Sequence, residues 1–100
     1  MASRKLLSPE EIAHHAVEVP HWQVVDGKKL VRNFTFPDFQ KGLDFVNRVG
    51  EIAERQGHHP DVHLSWGRVG IETWTHDAGG LTELDFLLAS QIDAAGYEGH

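Results

Sequence analysis

The sequence predicts an α+β fold, in which a four-stranded antiparallel sheet carries three helices on one face in the order α-β-β-α-β-β-α. Two β-hairpin signals lie on either side of a long amphipathic segment, and helix-start motifs precede the first hairpin and follow the second. Strands of a hairpin pair as antiparallel neighbours, and helices with one apolar face need a sheet face to cover. A chain of 100 residues is long enough for one such domain.

The first helix is predicted by the segment Ser8-Pro9-Glu10-Glu11. Its serine suits the N-cap, its proline suits the first turn, and its second glutamate stands where a capping box needs an acidic group. Leu7 and Ile12 flank this start at the spacing of a hydrophobic staple. We expect the helix to end at residue 16 or 17.

The strands are predicted as two hairpins. Asp26-Gly27-Lys28-Lys29 is a strong signal for the first turn, and Gly67-Arg68 marks the second. The predicted strands cover residues 21–25 and 30–36 in the first hairpin, and 62–66 and 69–75 in the second.

The second helix is predicted to start at Pro37-Asp38 and to end at Gly57. Glycine suits the left-handed position just past a helix, and Pro60 prevents the helix from resuming. Its apolar residues recur at helical spacing and form a wide inner face, comprising Phe39, Leu43, Phe45, Val46, Val49, Ile52 and Ala53.

The third helix is predicted to begin near Thr82, because Thr82-Glu83-Leu84-Asp85 resembles a capping box. We expect the two ends of the chain, residues 1–7 and 96–100, to be flexible. The predicted inner face of the third helix comprises Leu84, Leu87, Leu88, Ile92 and Ala95.

Composition and charge limit the classes of function. Nine basic residues are spread among fifteen acidic ones, for a formal net charge of −6, which argues against direct nucleic-acid binding. No apolar run follows Arg4-Lys5, so we expect neither a signal peptide nor a membrane span. The chain has no cysteine, which fits a reducing compartment. We therefore expect a cytoplasmic protein, and the open sheet edges predict a homo-oligomer.

The segment from Gln56 to His63, QGHHPDVH, contains three of the eight histidines. They could be metal ligands, acid–base groups or solvated loop residues. Zinc ligands four residues apart need a continuous helix, which Pro60 interrupts, and no cysteine or suitably spaced acidic ligand completes a metal set. We therefore expect no metal site.

Acid–base chemistry is the sharper interpretation of the cluster. Glu54 precedes His58 by four residues, so a helix that persisted to its end would place the carboxylate beside the imidazole and favour the imidazolium. His76 follows a predicted strand and could face His58 and His59 across a site. The alternative is that all of these are solvated; we expect that of His14, His15, His63 and His100.

Together these residues resemble the signature of the pterin-4a-carbinolamine dehydratase family. The resemblance rests on Glu54-x-x-x-His58-His59-Pro60 and the residues that follow it, and it is reinforced by Gly80–Ala89, by Phe34-Thr35-Phe36 with Asp38-Phe39, and by Trp22. It covers roughly residues 8–95. The remaining signature positions are Trp66, His76 and Asp85.

The resemblance implies the same α+β fold, assembled as a homodimer or homotetramer. It also implies a hydro-lyase that dehydrates 4a-hydroxytetrahydrobiopterin, or a related carbinolamine, to the quinonoid dihydropterin and so recycles tetrahydrobiopterin. No cofactor is implied, because the pterin is the substrate and neither proton transfer needs one.

The family's functional residues map directly onto this chain. The resemblance implies that His58, His59 and His76 are the essential histidines, and we take His58 and His76 as the acid–base candidates, with His59 orienting the pterin. The supporting or substrate-binding residues implied are Glu54, Asp85, Trp22 and Pro60. Some vertebrate relatives also stabilise dimers of a transcription factor, but no feature of this sequence argues for that role.

Overall fold

The computed structural model describes residues 3–97, and these form a four-stranded antiparallel sheet with three α-helices. This confirms the predicted fold class and element order. The elements are α1 (Pro9–Ala16), β1 (Gln23–Val25), β2 (Lys29–Thr35), α2 (Phe39–Gln56), β3 (Asp61–Ser65), β4 (Arg68–Thr73) and α3 (Glu83–Asp93), with a short 3₁₀ turn at His76–Ala78.

The helix starts form as the sequence predicts. The Ser8 hydroxyl accepts from the backbone N–H of Glu11, whose carboxylate accepts from the N–H of Ser8, so the capping box of α1 is complete. Asp38 caps α2 by accepting from the N–H of Lys41 at 2.8 Å. Both staple residues beside α1, Leu7 and Ile12, are buried.

The sheet has the strand order β1-β2-β4-β3, which leaves β1 and β3 at its edges. Asp26 and Gly27 both have positive φ in the tight turn of residues 26–28 that joins β1 to β2. Residues of β2 and β4 alternate between a face that packs against the helices and a face that does not. The side chains buried under the helices are Leu30, Phe34, Val69, Ile71 and Thr73.

Several predicted boundaries were wrong, each because a turn replaces extended chain. The first strand starts at Gln23 rather than residue 21, since the N–H of Trp22 bonds to the Val19 carbonyl in a turn. The last strand ends at Thr73 rather than 75, and Thr75 pairs only with Gly80 in an isolated bridge.

Some predicted inner-face residues are also exposed. Phe39 starts α2 with 45% of its surface exposed, and Leu87 of α3 is 39% exposed. Three other predicted inner-face residues of α3, Leu84, Leu88 and Ile92, are buried. Phe86, which was not predicted to face inward, is buried as well. The buried face of α3 is therefore broader than the one predicted from the spacing of its apolar residues.

Both described ends of the chain contact the rest of the domain. The N–H of Leu7 bonds to the Leu81 carbonyl at 2.9 Å, and the Tyr97 ring packs edge-on against Phe34 at 4.9 Å between centroids. The expected flexibility of the two ends stays a prediction. Part of it falls on residues 1–2 and 98–100, which lie outside the described residues, as does the expectation for His100. No helix between residues 3 and 97 is long and apolar enough to cross a bilayer.

Candidate functional site

The end of α2 determines where the two adjacent histidines point. Gly57 takes the left-handed conformation, with φ 67°, and the N–H of His58 closes the turn on the Ala53 carbonyl at 3.2 Å. The side-chain amide of Gln56 donates to the Leu84 carbonyl at 3.0 Å and thereby ties this turn to the start of α3. As a result His58 is buried against α3, while His59 faces outward.

His58 forms a buried pair with Asp85. Its Nε2 lies 2.7 Å from Oδ1 of Asp85, a side chain with no exposed surface. Three further groups also donate to the carboxylate, namely the hydroxyls of Thr73 and Thr75 and the backbone N–H of Thr82. Asp85 therefore caps α3 and holds His58 at the same time.

The charge of Asp85 follows from these contacts. Burial by itself raises the pKa of the Asp85 carboxyl, but the hydrogen bonds from His58, Thr73, Thr82 and Thr75 outweigh that effect and hold the pKa below its usual value. The carboxylate is thus ionised at neutral pH and can only accept. Nε2 of His58 must then carry the proton that it donates, leaving Nδ1 to act.

Nδ1 of His58 is available to a ligand. Within residues 3–97 it has no hydrogen-bond partner, and the one buried side-chain atom there that lacks a partner is Oε1 of Gln56. His58 also lines a surface cleft, from which a ligand could approach the ring.

The cleft brings the three predicted histidines together. It measures about 270 Å³ and lies between the end of α2 and the 3₁₀ turn that follows β4. The lining residues are Arg4, Gly57, His58, His59, Trp74, Thr75, His76 and Asp77.

Glu54 holds a different histidine from the one expected. Its carboxylate pairs with Nε2 of His59, and both side chains are largely exposed. The prediction that Glu54 faces His58 was wrong, because the left-handed residue Gly57 ends the helical phase before His58 is reached.

Trp22 and Pro60 do not line the cleft. The Trp22 indole is buried in the core, where its Nε1 donates to Asp93 at 2.8 Å and its ring meets Phe34 edge-on. Asp93 and Asp85 lie at opposite ends of α3, so Trp22 lies away from this cleft within the chain, and its expected part in walling the pocket stays a prediction. Pro60 is half-buried between His59 and β3.

Of the residues that line the cleft, the sequence interpretation assigned only the three histidines to the site, and those it missed include Trp74 and Arg4. Trp74 stacks on His76 with 4.0 Å between ring centroids and 28° between planes, and Arg4 reaches the cleft from the segment before α1. Trp74 and His76 are two residues apart, a spacing that places side chains on the same face of a strand and could have indicated their contact. Nothing in the sequence around Arg4 indicates that it reaches the cleft.

The other predicted bystanders lie away from the cleft. His14 and His63 are exposed, as expected, but His15 is half-buried and stacks on Phe86 at 5.2 Å. In the described part of the chain, no three His, Cys, Asp or Glu side chains are grouped so as to hold a metal ion.

A larger hollow of about 660 Å³ lies between α2 and α3. Its lining residues include Arg48, Arg55 and Gln91 but none of the histidines. Volume alone would favour this hollow. The smaller cleft is nevertheless the better candidate site, because it joins an oriented imidazole to two further imidazoles, whereas the hollow contains none.

Comparison with known proteins points to one family. The family described as pterin 4 alpha carbinolamine dehydratase matches residues 5–95. A relative from Rubrobacter xylanophilus is 51% identical over 87 residues, which cover 87% of this chain and 81% of the relative. A relative from Chlorobium limicola is 50% identical over 88 residues, which cover 85% of this chain and 78% of the relative. Both carry the name pterin-4-alpha-carbinolamine dehydratase provisionally.

Two solved structures share the fold. A Brucella melitensis protein described as a transcriptional coactivator/pterin dehydratase has a TM-score of 0.83 at 32% identity, covering 89% of this chain and 96% of its own. A pterin dehydratase-like protein described as a RuBisCO assembly factor in the alpha-carboxysome has a TM-score of 0.60 at 21% identity, covering 74% and 84%. At that identity the second likeness concerns the fold alone.

Proposed function

The chain belongs to the pterin 4 alpha carbinolamine dehydratase family, and from that premise we propose that it removes water from a 4a-hydroxytetrahydropterin by histidine acid–base catalysis. One observation carries the proposal: a buried, carboxylate-oriented imidazole, His58, opens onto a cleft that His59 and His76 also line. The product would be the quinonoid dihydropterin, and the physiological role the recycling of tetrahydrobiopterin.

The reaction requires two proton transfers. The C4a–O bond breaks with its electron pair on oxygen, which needs a proton to leave as water. The ring nitrogen beside C4a supplies electrons for the new double bond and then loses its proton. Imidazoles suit both transfers because their ordinary pKa lies near neutrality.

The geometry supports different roles for the histidines. His58 is fixed by Asp85 and presents one free nitrogen, as a group that exchanges a proton at a defined position should. His76 is held by stacking on Trp74 and is the second acid–base candidate. His59, exposed and paired with Glu54, is better suited to orient the pterin.

The proposal is tested with freshly generated 4a-hydroxytetrahydropterin, whose loss is followed by ultraviolet absorbance with and without stoichiometric metal chelator. We expect rapid loss that is insensitive to chelator, since neither step requires a metal or another cofactor. Decay at the buffer rate would refute dehydratase function, and loss of activity with chelator would refute the metal-free mechanism. Equimolar zinc or iron in protein purified without a histidine tag would also contradict it.

We also propose that the protein is a homodimer or homotetramer. Strands β1 and β3 are sheet edges, and exposed apolar side chains lie along β3 and just beyond it, with Val62 40% and Trp66 74% exposed. A sedimentation run that shows only an 11.2 kDa species would exclude this assembly. The cytoplasmic location expected from the sequence stays a prediction.

A second candidate function is that of a protein-binding module, favoured by the coactivator description of the Brucella melitensis structure. Such binding would use surface outside the cleft. A helical partner that is retained when His58, His59 and His76 are all replaced would support it, and loss of the partner with the histidines would not.

A further inference from the structure

A threonine occupies an inward position of β4 where the packing calls for an apolar side chain. The inward residues of this strand are Val69, Ile71 and Thr73, and all three have at most 1% of their surface exposed. Valine would fill the same volume as Thr73 without a buried hydroxyl. The hydroxyl at this position therefore needs an explanation other than packing.

The Thr73 hydroxyl contacts the atom that orients His58. It donates to Oδ1 of Asp85 at 2.7 Å, and Nε2 of His58 donates to the same oxygen, also at 2.7 Å. By contrast, Thr75 and the N–H of Thr82 bond to Oδ2. One carboxylate oxygen thus serves the helix cap, and the other is shared by Thr73 and His58.

Sharing an oxygen has two consequences. The two donors constrain the rotation of the carboxylate, which fixes where Nε2 of His58 must lie. Each hydrogen bond also reduces the negative charge on the shared oxygen, so the bond from Thr73 weakens the bond from His58 and the bond from His58 weakens the bond from Thr73.

We propose that Thr73 is a positioning residue, which aims the Asp85 carboxylate at His58 and limits how strongly that carboxylate stabilises the imidazolium. Its kinetic consequences rest on the proposed dehydratase function, whereas its effect on the imidazole does not. Without the hydroxyl, Asp85 would stabilise the imidazolium more strongly, so Nδ1 of His58 would release its proton less readily.

The ionisable groups near His58 lie on α2, on α3 and along the cleft. Asp85 approaches from α3, and Glu54 of α2 is engaged by His59. The remaining ionisable side chains that line the cleft with His58 are Arg4, His59, His76 and Asp77. A change at Thr73 alters none of these contacts, so a shift in the titration of His58 would come through Asp85.

The test is an NMR titration of the His58 ring in ligand-free protein. Thr73→Val should raise the midpoint of that titration by about half a pH unit or more, because Asp85 loses a competing donor. Thr73→Ser keeps the hydroxyl and should return the midpoint to the wild-type value. Ile71→Val is the matched control: it trims the adjacent inward position of β4 and should leave the midpoint unchanged. Thr73→Ala removes the same hydroxyl without the β-branched side chain and serves if the valine variant does not fold.

Two outcomes would overturn the proposal: an unchanged midpoint in the hydroxyl-free variants, or an equal shift in the Ile71 control. The pH profile of kcat/KM should shift in the same direction as the NMR midpoint. If the wild-type protein has no dehydratase activity, the proposed function fails while the titration still decides the role of Thr73.

Discussion

Replacement of Asp85 by asparagine tests the central contact of the site. Asp85 is fully buried and accepts four hydrogen bonds, two at each carboxylate oxygen. An amide has nearly the same shape, but its nitrogen cannot accept. Asp85→Asn therefore leaves two of the four donors facing another donor, without opening a cavity.

The expected loss of stability follows from that count. A buried donor that loses its acceptor costs about 1–3 kcal/mol. Two such losses are partly relieved because threonine hydroxyls can rotate and accept, so we expect a fall of about 3 kcal/mol in the free energy of unfolding. For a domain of this size, that corresponds to a fall in Tm of about 12–24 °C.

The loss should also depend on pH in a defined direction. The folded protein holds the pKa of Asp85 below its usual value, so the ionised carboxylate stabilises the fold above the unfolded-state pKa of about 3.9. That contribution is lost as the pH falls through the lower, folded-state pKa. As far as the carboxylate itself is concerned, the difference between wild type and Asp85→Asn should shrink as the pH falls below about 4.

Urea unfolding followed by circular dichroism at several pH values measures both effects. Glu51→Gln, which neutralises an exposed carboxylate on α2, is the control and should change stability by less than about 0.5 kcal/mol. The reasoning would be refuted by an Asp85→Asn loss below about 1 kcal/mol at pH 7. A difference that persists undiminished at pH 3 would refute the electrostatic part alone.

Four further predictions concern the cleft and its surroundings. His58→Ala and His76→Ala should each lower turnover about a hundredfold or more with unchanged circular dichroism, and near wild-type turnover in either would remove that residue as a proton-transfer group. Arg4→Ala should raise KM more than it lowers kcat, because Arg4 lines the cleft without holding either acid–base candidate; an effect on kcat alone would contradict this. Trp22→Phe should cost about 0.5–1.5 kcal/mol through its lost hydrogen bond and leave KM unchanged, whereas a raised KM would place Trp22 at the substrate. Glu54→Gln should change stability by less than about 1 kcal/mol, since its ion pair is exposed, and a larger loss in thermal unfolding would argue against that.

The fold could be predicted because its local signals agree with one another. The capping box at Ser8, the Asp26-Gly27 turn and the glycine after α2 each specify a boundary by short-range hydrogen bonding or by backbone conformation. Boundaries that depend on distant partners were less accurate. The end of β4 is an example, because it depends on the bridge between Thr75 and Gly80.

The composition of the site could be predicted, but its pairing could not. The resemblance placed His58, His59 and His76 together, and the cleft includes all three. Which carboxylate meets which histidine depends on a single left-handed residue, Gly57, that breaks the helical phase assumed for Glu54. The sequence likewise carries no signal for the contact of Trp22 with Asp93 at the far end of α3, because its spacing says nothing about which end of that helix it meets.

The stacking of Trp74 on His76 makes the indole an internal optical probe. A protonated imidazole at 4.0 Å from an indole ring interacts with its π electrons and quenches its emission, whereas a neutral imidazole quenches it much less. Trp22 is buried and Trp66 is 74% exposed, so their emission spectra differ and their responses can be subtracted with single-tryptophan variants. Ordinary fluorescence can thus follow the charge on one candidate catalytic side chain, without a label and before any substrate is added.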